Sequence, residues 1–214
     1  LFLLSVSWIS GIATETTGTR IRRNVFYAAN HHSWIDIPVM SGVSGCTFVA
    51  NDGIEKWPLI GWLCTINNTI FVSRENRLSV GGQVDELREA MTGDQPVAIF
   101  PEGTTGDGIT LLPFHANLIQ AAISADAPVV PVGLRFVDDL SGDTSLAPSY
   151  VGDESLLGSF WRTLCAPGIT ALVSYGEPQR AEGRDRRTWA HDLHATIDVL
   201  RVHGPRSRHP APIK

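Results

Sequence analysis

Short apolar runs punctuate this chain, and their lengths separate strand from helix. Residues 25–29, 46–50, 69–72, 97–100, 129–134 and 169–175 are four to seven residues long and mostly β-branched, aromatic or small, which predicts a buried strand at each. A weaker alternation over residues 11–17, followed by Gly18 and three arginines, predicts a hairpin with 25–29. Helical spacing fills the intervals. It covers residues 37–43, then Val84, Leu87 and Met91, then Leu118, Ile119, Ala122 and Ile123, and finally Trp189, Leu193, Ile197 and Leu200. Strands that alternate with helices predict an α/β sheet covered on both sides, within one domain.

Some stretches break this rhythm. Pro131 cannot donate to a ladder, so the run at 129–134 is expected at an edge or a bulge. Residues 54–63 carry apolar side chains over most of a turn, which fits either a buried helix or one against lipid. Lys56 lies among them, open to anion binding or to snorkelling. Residues 138–157 are rich in Gly, Ser and Asp without a period, and read as a lid or as a surface loop. Residues 204–214, rich in Pro and Arg, are expected to form a disordered tail behind a domain spanning 1–203.

With 214 residues, 43% of them hydrophobic and 18% charged, the chain can bury a sizeable core. A net charge of −5 argues against a general nucleic-acid binder. Arginines gather near both ends, placed either for an anionic membrane surface or for solvent. Three cysteines without a Cys-x-x-Cys spacing suggest neither a disulfide framework nor a zinc ribbon, and fit a reducing, cytoplasmic setting. The chain opens on Leu1, and its first apolar residues fall short of a bilayer span. The expectation is a truncated start whose missing part held a membrane-associated helix.

The candidate chemistry lies where strands end. In Asn30-His31-His32-Ser33-Trp34-Ile35-Asp36, an imidazole follows one apolar run and a carboxylate precedes the next. Five residues apart on one helix, His31 and Asp36 would point about 140° apart. A strand-to-helix turn lets Asp36 hold one ring nitrogen of His31 and leaves the other free as a base. Ser33 and Asp36 also fit a capping box, and Asp36 alone fits a cap with Pro38 in the first turn, so both helix starts stay open. His32 is expected to be a bystander. The loop at 101–108 has three glycines and two threonines, suited to an anionic or sugar-like group or to an ordinary turn. His31, Arg74 and the Glu102 loop would gather at strand carboxyl ends.

These residues resemble the glycerolipid acyltransferase family that includes the 1-acylglycerol-3-phosphate acyltransferases. Asn30-His31-x-Ser33-x-x-Asp36 is similar to its first motif, Phe71-Val72-x-Arg74 to its second, Phe100-Pro101-Glu102-Gly103-Thr104 to its third, and Val130-Pro131-Val132 to its fourth. The resemblance implies a single α/β domain with a mixed, largely parallel sheet flanked by helices. It implies acyl transfer from acyl-CoA or acyl carrier protein to a hydroxyl of lysophosphatidic acid, at the cytoplasmic face of the inner or plasma membrane. No metal and no cofactor beyond that co-substrate is implied. By the same likeness His31 is the general base and Asp36 orients it. Arg74, Glu102, Gly103, Thr104 and Thr105 hold the acceptor head group, and Pro131 helps to shape the site.

Three positions depart from the family pattern. Thr105 stands where Arg often follows Gly-Thr, Asn68 where Gly is frequent, and His115 where a basic residue often follows Pro-Phe. They keep lyso-ornithine lipid open as an alternative acceptor. A lipid-binding module of the same fold is the non-enzymatic alternative, and retention of both His31 and Asp36 speaks against it. No Gly-x-Ser-x-Gly elbow supports a serine hydrolase, and no His-Glu-x-x-His pattern supports a metal hydrolase.

Overall fold

The computed structural model describes residues 9–51, 69–72, 95–152 and 154–204. Its strands are β1 (Ile12–Thr17), β2 (Phe26–Ala29), β3 (Thr47–Asn51), β4 (Ile70–Val72), β5 (Val97–Ile99), β6 (Val129–Asp138) and β7 (Ile169–Tyr175). Between and after them lie α1 (Asp36–Ser44), α2 (Ala116–Ser124), α3 (Leu156–Leu164) and α4 (Arg186–His203). The strands form one sheet in the order β1-β7-β6-β2-β5-β3-β4. Every neighbouring pair is parallel except β6 with β7, so the sheet is mixed and largely parallel.

Strand β2 shows how the sequence builds both faces. Successive side chains alternate across a strand. Tyr27 and Ala29 therefore join Val39, Met40, Phe48 and Val130 under α1. Phe26 and Ala28 join Ile119, Trp189, Leu193 and Ile197 under α2 and α4. Each large side chain buried in this way stabilises the fold by about 1.5–3 kcal/mol. The close approach of α4 depends on Gly133, where a Cβ would run into the backbone of Leu200 and Arg201.

Two expectations change, and the edge-or-bulge expectation for Pro131 resolves to the bulge. Residues 11–17 do not form a hairpin with β2; β1 lies at the sheet edge, parallel to β7, with Ile12 opposite Ile169. The parallel partner buries Ile12 in the core under α1, a long-range gain that a local pattern cannot reveal. Pro131 is on an interior strand, opposite Ala28 of β2. Its carbonyl accepts from Gly176 N–H, and the pairing on that side shifts by one residue between Val129 with Gln179 and Val132 with Tyr175. The missing proline N–H falls at that irregularity. Residues 138–157 are not an excursion without periodicity to their end, because α3 begins at Leu156.

The expectations for Lys56, residues 54–63, Asn68, Arg74, the helix around Val84 and residues 205–214 lie outside the described residues. Among the described residues no helix is long and apolar enough to cross a membrane.

Candidate functional site

Strand β2 ends at Ala29, and the next two residues are fixed by different means. Asn30 is buried and bridges to β6, accepting from Leu134 N–H at 2.7 Å and donating to the Leu134 carbonyl at 2.9 Å. His31 is then held from both sides of its backbone. Its N–H donates to Glu102 Oε1 at 2.6 Å, and its carbonyl accepts from Gly106 N–H at 2.8 Å. The other oxygen of Glu102 accepts from Leu112 N–H at 2.8 Å. Glu102, expected among the head-group ligands, thus uses its carboxylate to clasp the loop after β5 onto the end of β2. Burial pushes its pKa up, partly offset by those two N–H groups.

The chain turns sharply before α1, and Asp36 organises the turn. One oxygen, Oδ2, accepts from His31 Nδ1 at 2.8 Å, His32 N–H at 2.8 Å and Ser33 N–H at 2.9 Å. Ile35 N–H meets Ser33 Oγ at 3.3 Å and Asp36 N–H donates to the Ser33 carbonyl at 3.2 Å, which closes the turn ahead of the regular helix. The regular helix itself begins at Asp36 with Ile35 as N-cap and no side-chain cap, so Ser33 and Asp36 shape the turn before it and neither expected cap starts the helix. Asp36 is fully buried, which alone would push its carboxyl up. The imidazoles of His32 and His31 and the backbone N–H of His32 outweigh that, and the carboxyl lies below its usual range.

This bond fixes the tautomer. With Nδ1 donating to a buried carboxylate, Nε2 of His31 carries the free lone pair. The ring stacks on Phe100 at 3.9 Å and 8°, and Phe100 stacks on Phe48 at 4.9 Å and 20°. Its side chain remains 16% exposed. An oriented imidazole whose free ring nitrogen reaches solvent is suited to taking a proton from a hydroxyl.

His32 has a more definite place than a bystander. It is buried, its ring packs edge-on against Phe136, and burial pushes its pKa down. Its carbonyl accepts from Tyr150 N–H at 3.1 Å. Ser33 Oγ donates to the Pro148 carbonyl, so residues 148–150 close directly over this turn. The excursion after β6 lines the site.

Gly103 and Thr104 are exposed and Thr105 is half-buried. Gly103 has a left-handed φ of 70°, and a Cβ there would strike the His115 ring. On β6 it is Leu134 that meets Asn30, and Pro131 stands opposite Ala28, three residues of strand or about 10 Å before it. Arg201 was not foreseen here. Only 13% exposed and paired with Asp198, it helps to line a cavity of about 10 Å³ with Asn30, His32, Glu102 and Gly106, room for a single water. Among the described residues no three His, Cys, Asp or Glu side chains converge in a way that could hold a metal ion.

The chain matches the acyltransferase family model over residues 13–135. It is 37% identical over 163 residues to the 1-acyl-sn-glycerol-3-phosphate acyltransferase of Neisseria gonorrhoeae, covering 76% of this chain and 63% of that protein. It is 37% identical over 156 residues to the lyso-ornithine lipid O-acyltransferase of Rhizobium meliloti, covering 72% of this chain and 51% of that one. The corresponding protein of Pseudomonas aeruginosa is 32% identical, over 86% of this chain and 70% of its own length. The chain thus spans about half to two thirds of the curated relatives it matches first. In fold it is similar to the crystal structure of the 1-acyl-sn-glycerophosphate (LPA) acyltransferase, PlsC, from Thermotoga maritima. The TM-score there is 0.60 at 19% identity, covering 95% of this chain and 81% of that one. This chain belongs to the acyltransferase family.

Proposed function

We propose that this acyltransferase-family chain moves a fatty acyl group from a thioester, acyl-CoA or acyl carrier protein, to the free hydroxyl of lysophosphatidic acid, giving phosphatidic acid. The observation that carries this reading is the 2.8 Å bond from His31 Nδ1 to the buried Asp36 carboxylate, which leaves Nε2 as the base. His31 Nε2 takes the hydroxyl proton as the acceptor oxygen bonds to the thioester carbonyl carbon. The tetrahedral oxyanion collapses, the C–S bond breaks, and the imidazolium returns its proton to the leaving thiolate. Asp36 holds the tautomer and balances the transient imidazolium.

Gly103, Thr104 and Thr105 face the acceptor head group, and Arg74 supplies the planar fork that suits a phosphate. Glu102 serves by position, through the loop it clasps. The chain works at a membrane surface on the cytoplasmic side, where lysolipid and thioester meet, and needs no cofactor beyond its co-substrate.

Lyso-ornithine lipid is a second reading, favoured by Thr105 in place of an arginine and by the similarity to enzymes named for that acceptor. The deciding experiment is acyl transfer from one labelled thioester to lysophosphatidic acid and to lyso-ornithine lipid, side by side. Preference for the phosphate lipid supports the leading assignment, and preference for the ornithine lipid replaces it. Turnover of neither by a folded protein rejects both.

A further inference from the structure

Helix α3 is inside out. A surface helix ordinarily turns its apolar stripe to the core. Here Ser159 and Thr163, four residues apart, point inward with 0% and 2% exposure. Ser159 Oγ lies 3.2 Å from the Pro148 carbonyl and 3.1 Å from that of Ser149, and Thr163 Oγ1 donates to the Ser159 carbonyl at 2.8 Å. Leu157, Phe160, Trp161 and Leu164 form the opposite stripe, at positions i, i+3, i+4 and i+7, with exposures of 75%, 36%, 69% and 39%. Leu146 and Val151, from the loop before the helix, are also exposed.

The helix is joined to the catalytic turn. The Pro148 carbonyl that faces Ser159 also accepts from Ser33, and Phe160 packs against Trp34 with ring centroids 5.4 Å apart. Ser33 and Trp34 lie between His31 and Asp36. Through Phe160 and Trp34 the exposed apolar stripe is thus linked to the turn that carries His31.

We propose that this face of α3 seats in the interfacial layer of a lipid bilayer and brings the bilayer edge to His31. The inference rests on the lysolipid acceptor proposed above. Leu, Phe and Trp on one face are the residues that enter the headgroup and acyl boundary, by about 5–10 Å. The stripe exposes on the order of a few hundred Å², short of the roughly 800 Å² per partner of a stable protein interface, which argues against a second copy as occupant. Arg162, the one cation of the helix, is paired with Glu154 and donates to the Ala147 carbonyl at 2.9 Å. Attachment through this face is accordingly apolar and insensitive to salt.

The test is co-sedimentation with vesicles of phosphatidylethanolamine and phosphatidylglycerol, at low and high salt, for the wild type, Leu157→Asn with Trp161→Asn, and the control Val199→Asn. Transfer to a short-chain acceptor below its micellar concentration is measured in parallel, and circular dichroism checks the fold. The expected result is salt-independent binding by the wild type and control, and a loss of about tenfold or more in the double variant. Transfer to the monomeric acceptor stays at the wild-type rate. Equal vesicle binding by the double variant, or no vesicle binding by the wild type, overturns the assignment of this face. Loss of monomeric transfer in the wild type contradicts the acyl-transfer reading instead, so the two failures are distinguishable.

Discussion

His31 Nδ1 and Asp36 Oδ2 lie 2.8 Å apart across a strand-to-helix turn, and the same oxygen also accepts from the N–H groups of His32 and Ser33. One buried carboxylate atom thus shapes the turn and sets the tautomer of His31. Asp36→Asn keeps the size but removes the negative charge, and an amide N–H₂ turned toward Nδ1 would also face the His32 and Ser33 N–H groups, so the hold on the ring is lost or weakened. The expected result is a fall in kcat of about 10²–10⁴-fold with little change in acceptor KM, read from steady-state transfer kinetics.

Glu102→Gln tests the clasp between the loop after β5 and the end of β2. A neutral amide cannot accept from both His31 N–H and Leu112 N–H, so one is left facing a donor. The expected cost is about 1–3 kcal/mol of stability, measured by denaturant unfolding. The accompanying loss falls on kcat rather than on donor binding, since His31 is displaced.

Much of this site is legible in the sequence. His31, Asp36 and the Glu102 loop each stand directly after or before an apolar run, and a parallel sheet collects strand ends on one edge. Three things were not legible. The partner of β1 lies more than 150 residues away, and only burial of Ile12 against β7 selects it over the nearby strand. Glu102 belongs to a motif, but that both of its oxygens meet backbone N–H groups depends on the packing of β2 beside β5. Helix α3 follows an irregular stretch, and although Leu157, Phe160, Trp161 and Leu164 recur at helical spacing, that spacing does not reveal that the apolar stripe faces outward.

His32 makes stability depend on pH. Burial lowers its pKa from the ordinary 6.5, so the folded protein keeps a neutral ring where the unfolded chain binds a proton. A depressed folded value contributes stability that is present above about pH 6.5 and lost as the pH falls. Asp36, also depressed, acts with the same sign, but only below the usual carboxylate value of 3.8. Unfolding free energy measured between about pH 7.5 and 5 is therefore expected to decline for the wild type and to decline less for His32→Asn. Parallel curves would remove His32 as the source.

Gly133→Val tests the docking of α4. A side chain there would enter the backbone of Leu200 and Arg201, neither of which can yield as a flexible tip would. The expected destabilisation is about 1–3 kcal/mol or more, seen as a lower Tm in calorimetry. Arg201 lines the cavity behind His31, so transfer activity should fall with it.

The central claim is that His31 is the base. Its most direct test is steady-state transfer from a labelled thioester to lysophosphatidic acid by His31→Ala, with circular dichroism and unfolding run on the same sample. The prediction is a folded protein whose kcat has fallen by at least about 10²-fold while acceptor KM changes little. A folded His31→Ala that turns over at the wild-type rate would contradict the account.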